Sequence, residues 1–194
     1  MPRKYRHTHH DRCVVPEEAP MNSLPLHPAV VHMPLALSIL MPLFAAGLAW
    51  AMWAGRVRPR AWLLVVALQA LLVGSGFVAM NTGGAEEERV EAVVQERAIE
   101  THEELAEQFV WAAGGTLALA GLVLLFGTRT IAGGLSAAVV IATVVVAVLG
   151  LRVGHAGGQL VYVHGAASAY TSNGAATAEA STSSAVAPRH NDPD

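Results

Sequence analysis

Cysteine is almost absent: Cys13 alone occurs in 194 residues. That excludes a disulfide framework, a CxxC metal pair and a CxxCH site for covalent haem attachment. Any haem held by this chain is therefore of the non-covalent b type. Charge is scarce as well, with Asp, Glu, Lys and Arg making up 14% of the chain and a net charge of -3. The signs are segregated, so no basic patch suits a nucleic-acid backbone, and nucleic acid is excluded as a partner. The hydrophobic runs carry no nucleophile or charged dyad, and intramembrane ionisable residues, the usual markers of a transport path, are missing from their centres.

What the chain has in quantity is apolar surface: 53% of its residues are hydrophobic and the mean hydropathy is +0.43. A spanning helix needs about 20 predominantly apolar residues to cross roughly 30 Å of hydrocarbon. Four runs of that kind occur, from about Ala29 to Ala54, Ala61 to Met80, Gln108 to Phe126 and Ile131 to Val153. Too little polar chain remains to cover four such helices in water. The pattern predicts an all-α membrane protein, a four-helix transmembrane bundle of up-down-up-down topology. The short connections RVRPR and GTRT suit such tight antiparallel neighbours.

Polar segments flank the bundle. Residues 1–25 form an Arg-, His- and Pro-rich N-terminal tail, in which Met21 opens MNSLPLHPAVVHMP and offers an alternative translation start. The tail lacks the pattern of a signal peptide. Residues 26–165 hold the transmembrane domain, and residues 166–194 are Ser/Thr/Ala-rich without periodicity, a composition that predicts disorder. Between the second and third runs lies AEEERVEAVVQERAIETHEELAEQ, whose pattern is helical. At about 100° per residue Val90, Val94, Ala98, His102, Leu105 and Phe109 share one arc, opposite Glu96, Glu100, Glu103 and Glu107. This segment is expected to be an amphipathic lead-in continuous with the third helix.

Four crossings return both termini, and the charged loop, to one side of the membrane. His27 and His32 at the first helix, His102 before the third run, and His155 and His164 after the fourth therefore lie at one face. His7, His9, His10 and His190 fall in the tails. A lone interfacial histidine is usually a packing residue, but five from three chain segments suggest ligation. Imidazoles at adjacent helix ends can bind iron from both sides of a porphyrin. Gly154, Gly157 and Gly158 around His155, and Gly83 in NTGGA, are expected to admit a flat ligand. Asn81 and Thr82 are expected to hydrogen-bond a propionate or a ligand imidazole. Pro34 lets HMPL place His32 at the start of a helix. Zinc or copper is the lesser expectation, because no HxxxH or HExxH register is present.

Four stretches together resemble a family of predicted bacterial membrane proteins known as domain of unknown function 2231. They are LHPAVVHMPLAL at 26–37, MNTGGA at 80–85, THEELA at 101–106 and GHAGGQLVYVHG at 154–165. The last is the most specific, a dozen residues agreeing in type and spacing. The resemblance covers about Leu26 to Gly165. It implies four spanning helices with histidines at one end and the company of redox modules such as cytochrome c or Rieske-type domains, none of which this chain carries. Ala156 stands where a larger aliphatic residue is expected, and Met33 where an aromatic is common.

The combined expectation is a small b-type cytochrome or cytochrome-like electron-transfer subunit, an electron carrier more than a stand-alone enzyme. His32, His102 and His155 are its first candidate haem b ligands, followed by His164 and His27. Its expected partners are membrane lipid and other redox or membrane-complex subunits, with quinone a candidate. The rival expectation is a non-catalytic assembly or structural subunit of a larger membrane complex. Arg56, Arg58, Arg60 and Arg129 lie opposite the histidines. On the histidine side Arg89 and Arg97 are outnumbered by glutamates, and Arg152 lies near the last helix end. The positive-inside rule thus places the histidine face outside the cytoplasm, in a bacterial inner membrane. Arg3, Lys4, Arg6 and Arg12 argue the other way if the whole N-terminal tail is translated.

Overall fold

The computed structural model describes residues 26–126 and 129–170; the side chains of residues 129–132 are not among those described. The expectations for the N-terminal tail, for Met21 and for the chain beyond residue 170 lie outside that range. Five α-helices and one short 3-10 turn follow one another: α1 (Leu26–Val30), α2 (His32–Trp53), the turn Pro59–Trp62, α3 (Leu63–Glu91), α4 (Glu96–Phe126) and α5 (Arg129–Tyr162). No strand occurs among the described residues. Among the described residues four spans are long and apolar enough to cross a bilayer: Leu26–Trp53, Pro59–Glu91, Glu96–Phe126 and Gly133–Tyr162. The protein is a multi-pass membrane protein, almost entirely helical among the described residues, as its four hydrophobic runs predict.

Two helices overrun their expected ends. Hydropathy places the end of α3 near Met80, yet the helix continues through NTGGA to Glu91. Glycine adds no unpaired backbone group to a helix. The AEEER that follows is rich in good helix formers, so nothing in this stretch stops propagation. In the same way α5 passes through GHAGG to Tyr162 rather than ending at Val153. The charged segment is correspondingly divided: its first part completes α3, and its second, from Glu96, runs unbroken into α4. Between α1 and α2 the cause of the break is Pro34, which lacks the N–H that the carbonyl of Val30 would otherwise accept. Bonds from Val31 N to His27 O (3.1 Å) and from Leu35 N to Val31 O (3.3 Å) keep the two pieces in one span.

The interior is built largely from small residues, as membrane bundles are. Ala45, Ala113, Ala120 and Gly76 let the backbones close, with Met41, Leu72, Val139 and Val146 filling the space between them. Trp53, Trp111, Leu43 and Leu125 point outward toward lipid. Buried polar groups bond mainly to helix carbonyls: Thr116 to Ala112 at 2.8 Å and Thr143 to Val140 at 2.7 Å within their own helices, and Gln69 from α3 to Ala113 of α4 at 3.1 Å. At the arginine end Trp62, fully buried, donates its indole N–H to Ala120 O at 3.1 Å. Among the described glycines Gly150 is the most tightly packed: an added Cβ there would lie 2.7 Å from Ser38 Oγ and 3.2 Å from Phe109 Cε2.

Candidate functional site: a histidine pair at one end of the bundle

His102 lies about 36 Å along α4 from Phe126 at 1.5 Å per residue. Roughly 30 Å of hydrocarbon therefore leaves it at the membrane boundary. The start of α1, the last turns of α3, the first turns of α4 and the last turns of α5 meet at this level. His27 and His102 meet there edge to face, with ring centroids 6.3 Å apart and planes at 87°. Each ring lies over a glycine. A Cβ on Gly83 would come within 3.2 Å of His27 Cε1, and one on Gly157 within 3.2 Å of His102 Cε1. These two glycines, expected to make room for a flat ligand, each lie against one of the imidazoles.

The hydrogen bonds settle one tautomer. His27 Nδ1 lies 2.9 Å from Ala79 O, an acceptor only, so Nδ1 carries a proton and, in the neutral ring, Nε2 is the nitrogen with the lone pair. Thr82 Oγ1, itself donating to Ala79 O at 2.9 Å, is 3.4 Å from the same nitrogen. A histidine whose Nδ1–H is tied to a backbone carbonyl is oriented as metal-binding histidines are. His102 differs: its Nδ1 is buried with no hydrogen bond of ordinary geometry, and the backbone of Val153 is the polar group nearest to partnering the ring. An orphaned buried ring nitrogen is costly and calls for an explanation in terms of what it meets.

Beside the pair stands a second cluster that sequence reasoning missed. Tyr170 donates its phenol to Glu86 Oε2 at 2.7 Å, and the other oxygen of Glu86 accepts from the backbone N–H of His27 at 3.4 Å. Burial, then the hydrogen bond and charge of Glu86, push the Tyr170 phenol up to about 12, against a smaller opposing pull from Arg89. Tyr170 therefore remains a donor across the ordinary pH range. Glu86 was hidden in the EEER run, whose neighbours Glu88 and Arg89 are exposed. The one available signal for Tyr170 was an aromatic residue in a segment of small polar ones.

The five histidines do not converge. His32, the first residue of α2 as HMPL predicts, is exposed, and so are His155 and His164. Among the described residues no group of three or more His, Cys, Asp or Glu is placed to hold a metal ion. Of the five histidines, the structure brings two, His27 and His102, into contact. Asn81 is exposed, with its amide bonded back to Phe77 O at 2.9 Å. Gly154 meets only Leu35 at ordinary distance, and Gly158 has open space around its Cα. Of the residues named for a cofactor, Thr82 and Gly83 at His27 and Gly157 at His102 touch the pair.

The chain belongs to the family of predicted membrane proteins called DUF2231. The family's sequence profile matches residues 23–169, so it takes in the four spans, both histidines of the pair and the segment after α5 up to the residue before Tyr170. No curated protein and no solved structure matches the chain. Family membership gives the membrane character and leaves the chemistry to be argued from the histidine end.

Proposed function

We propose that this protein is a small electron-transfer subunit of the bacterial inner membrane that holds haem b between His27 and His102. One observation carries the reading: two imidazoles meet with their centroids 6.3 Å apart and their planes at 87°, one tied through Nδ1 to Ala79 O and the other with its Nδ1 buried and unpartnered. Two protein ligands are a complete set only where something else fills the remaining positions, as a porphyrin does for iron. With metal–imidazole bonds of about 2 Å, two rings bound from opposite sides of one metal put their centroids roughly 6 Å apart. When bound, haem supplies a one-electron couple at the membrane boundary. The chain's own part is to orient the imidazoles: Ala79 O and Thr82 fix the His27 ring, and Gly83 and Gly157 allow both rings to lie against helix backbone. Purified from haem-replete cells, the protein is expected to show a sharp Soret band and a reduced-minus-oxidised difference spectrum. The pigment should be extractable into acidic solvent.

A second reading is favoured by the same glycine contacts and by the absence, among the described residues, of any larger ligand cluster. In it the pair staples α1 to α4, and the protein is an assembly subunit of a larger membrane complex. A colourless, correctly folded preparation supports this reading over the first.

The proposed orientation puts the histidine pair on the extracytoplasmic side. Arg56, Arg58 and Arg60 are exposed at the opposite end, with Arg56 stacked 4.5 Å from the centre of the Trp50 ring. Cationic residues in short loops stay cytoplasmic. A reporter active only in the cytoplasm should work when inserted in the loop after Trp53 and fail when fused after Tyr170; the reverse pattern overturns the orientation.

A further inference from the structure

We propose that Tyr170 and Glu86 form a latch that holds His27 in register, making residues 163–170 a working part of the histidine end. The proposal concerns groups of the chain itself and stands whether or not haem is bound there. After α5 the chain turns back at Gly165, whose φ of +75° suits glycine. Ala166 N bonds to Leu160 O at 2.9 Å. Ala166 and Ala169 are then buried, and Ala166 packs in a small apolar cluster with Val94 and Ile99 at the α3–α4 connection. That anchorage delivers the Tyr170 hydroxyl to Glu86 at 2.7 Å. The half-buried carboxylate of Glu86 is divided between two donors, Tyr170 OH on one oxygen and the backbone N–H of His27 on the other.

The two histidines depend on this arrangement unequally. His27 sits in the first turn of the first span, where four N–H groups lack helical acceptors and fraying is easiest. Glu86 supplies an acceptor for one of them. Without Tyr170, Glu86 keeps only the longer 3.4 Å contact and is free to turn to water, so the backbone N–H of His27 loses its acceptor and the first turn that carries the ring to Ala79 O and Thr82 is free to fray. His102 lies within the 31-residue α4 against Gly157 of α5, and neither Glu86 nor Tyr170 takes part in that seat. Tyr170 and Glu86 are thus positioning residues for His27 specifically.

The test is residue-resolved modification of histidine by diethyl pyrocarbonate on the full-length protein in detergent, with exposed His155 as the internal reference. Tyr170→Phe keeps the ring and its packing and removes one hydrogen bond to a charged group. It should raise the His27 rate roughly tenfold relative to His155 while His102 stays at its wild-type rate. Glu86→Ala should raise the His27 rate at least as far. Glu86→Gln, with one acceptor oxygen for two donors, should fall between the two. An unchanged His27 rate in Tyr170→Phe overturns the latch even if Glu86→Ala fails to fold, and so does a parallel rise at His27 and His102, which signals general loosening of the bundle.

Discussion

His102→Ala and His27→Ala are each expected to abolish the b-type spectrum of the purified protein, whereas His32→Ala, His155→Ala and His164→Ala should leave it in place. The division follows from position: the first two rings meet at 6.3 Å between centroids, and the other three side chains are exposed. If these imidazoles hold haem, removing either should weaken its binding by more than the roughly 10–100-fold that loss of an outer-shell partner costs a metal site. Thr82→Ala, which takes away only the 3.4 Å contact to His27 Nδ1, should stay within that smaller range. Glu103→Gln and Glu107→Gln, on the exposed side of α4, should change the spectrum little. Haem content per chain and the reduced-minus-oxidised spectrum are the readouts. A wild-type spectrum in both His27→Ala and His102→Ala would show that neither is a required ligand.

The second large effect is on stability. Gly150→Ala is expected to cost about 1–3 kcal/mol, the usual range for overpacking a close-packed core. The new methyl would meet Ser38 Oγ at 2.7 Å and Phe109 Cε2 at 3.2 Å. Ser38 has no easy retreat, since it is fully buried and its hydroxyl is bonded to Leu35 O at 2.8 Å. Adding Ser38→Ala removes the worst contact but leaves Phe109, so the double variant should recover part of the loss and reveal a favourable coupling between the two changes. Thermal unfolding in one fixed detergent, followed by loss of the monodisperse size-exclusion peak, gives the comparison. Equal destabilisation with and without Ser38→Ala would show that the α2–α5 contact relaxes freely. Gly154→Ala, facing only Leu35 at 3.7 Å, is the mild control.

The four spans were legible because bilayer thickness imposes a minimum apolar length, and a stretch such as ALQALLVGSGFVAM has few other readings. The helix ends were not. NTGGA and GHAGG look like stops by the rules of soluble proteins, but where the backbone must satisfy itself a glycine does not end a helix. His102 was assigned correctly to the inward arc of its helix from phase alone, because Ile99 and Phe109, three and seven residues away, are buried on that side. His27 and His32 are separated by about 140° around a helix, so only one can face inward. Which one does is decided by the contact of α1 with Ala79 and Gly83 of α3, and nothing local in LHPAVVH encodes that. His155 lies about 200° from Gly157 around α5, so seating His102 on Gly157 turns His155 outward. The motif's most conspicuous histidine is therefore not the one beside the pair. Tyr170 was illegible because its role depends on a turn at Gly165 and a carboxylate 84 positions earlier in the chain.

The central claim is that His27 and His102 hold one haem between them. Low-temperature paramagnetic resonance of the oxidised wild-type protein, read together with haem content, tests it most directly. One haem b per chain is predicted, with the highly anisotropic low-spin ferric signal given by two imidazoles whose planes are nearly perpendicular, as the 87° between these rings requires. A haem-free protein contradicts the claim outright, and a rhombic signal from parallel imidazoles, or a high-spin signal from a single one, contradicts the assignment of this pair.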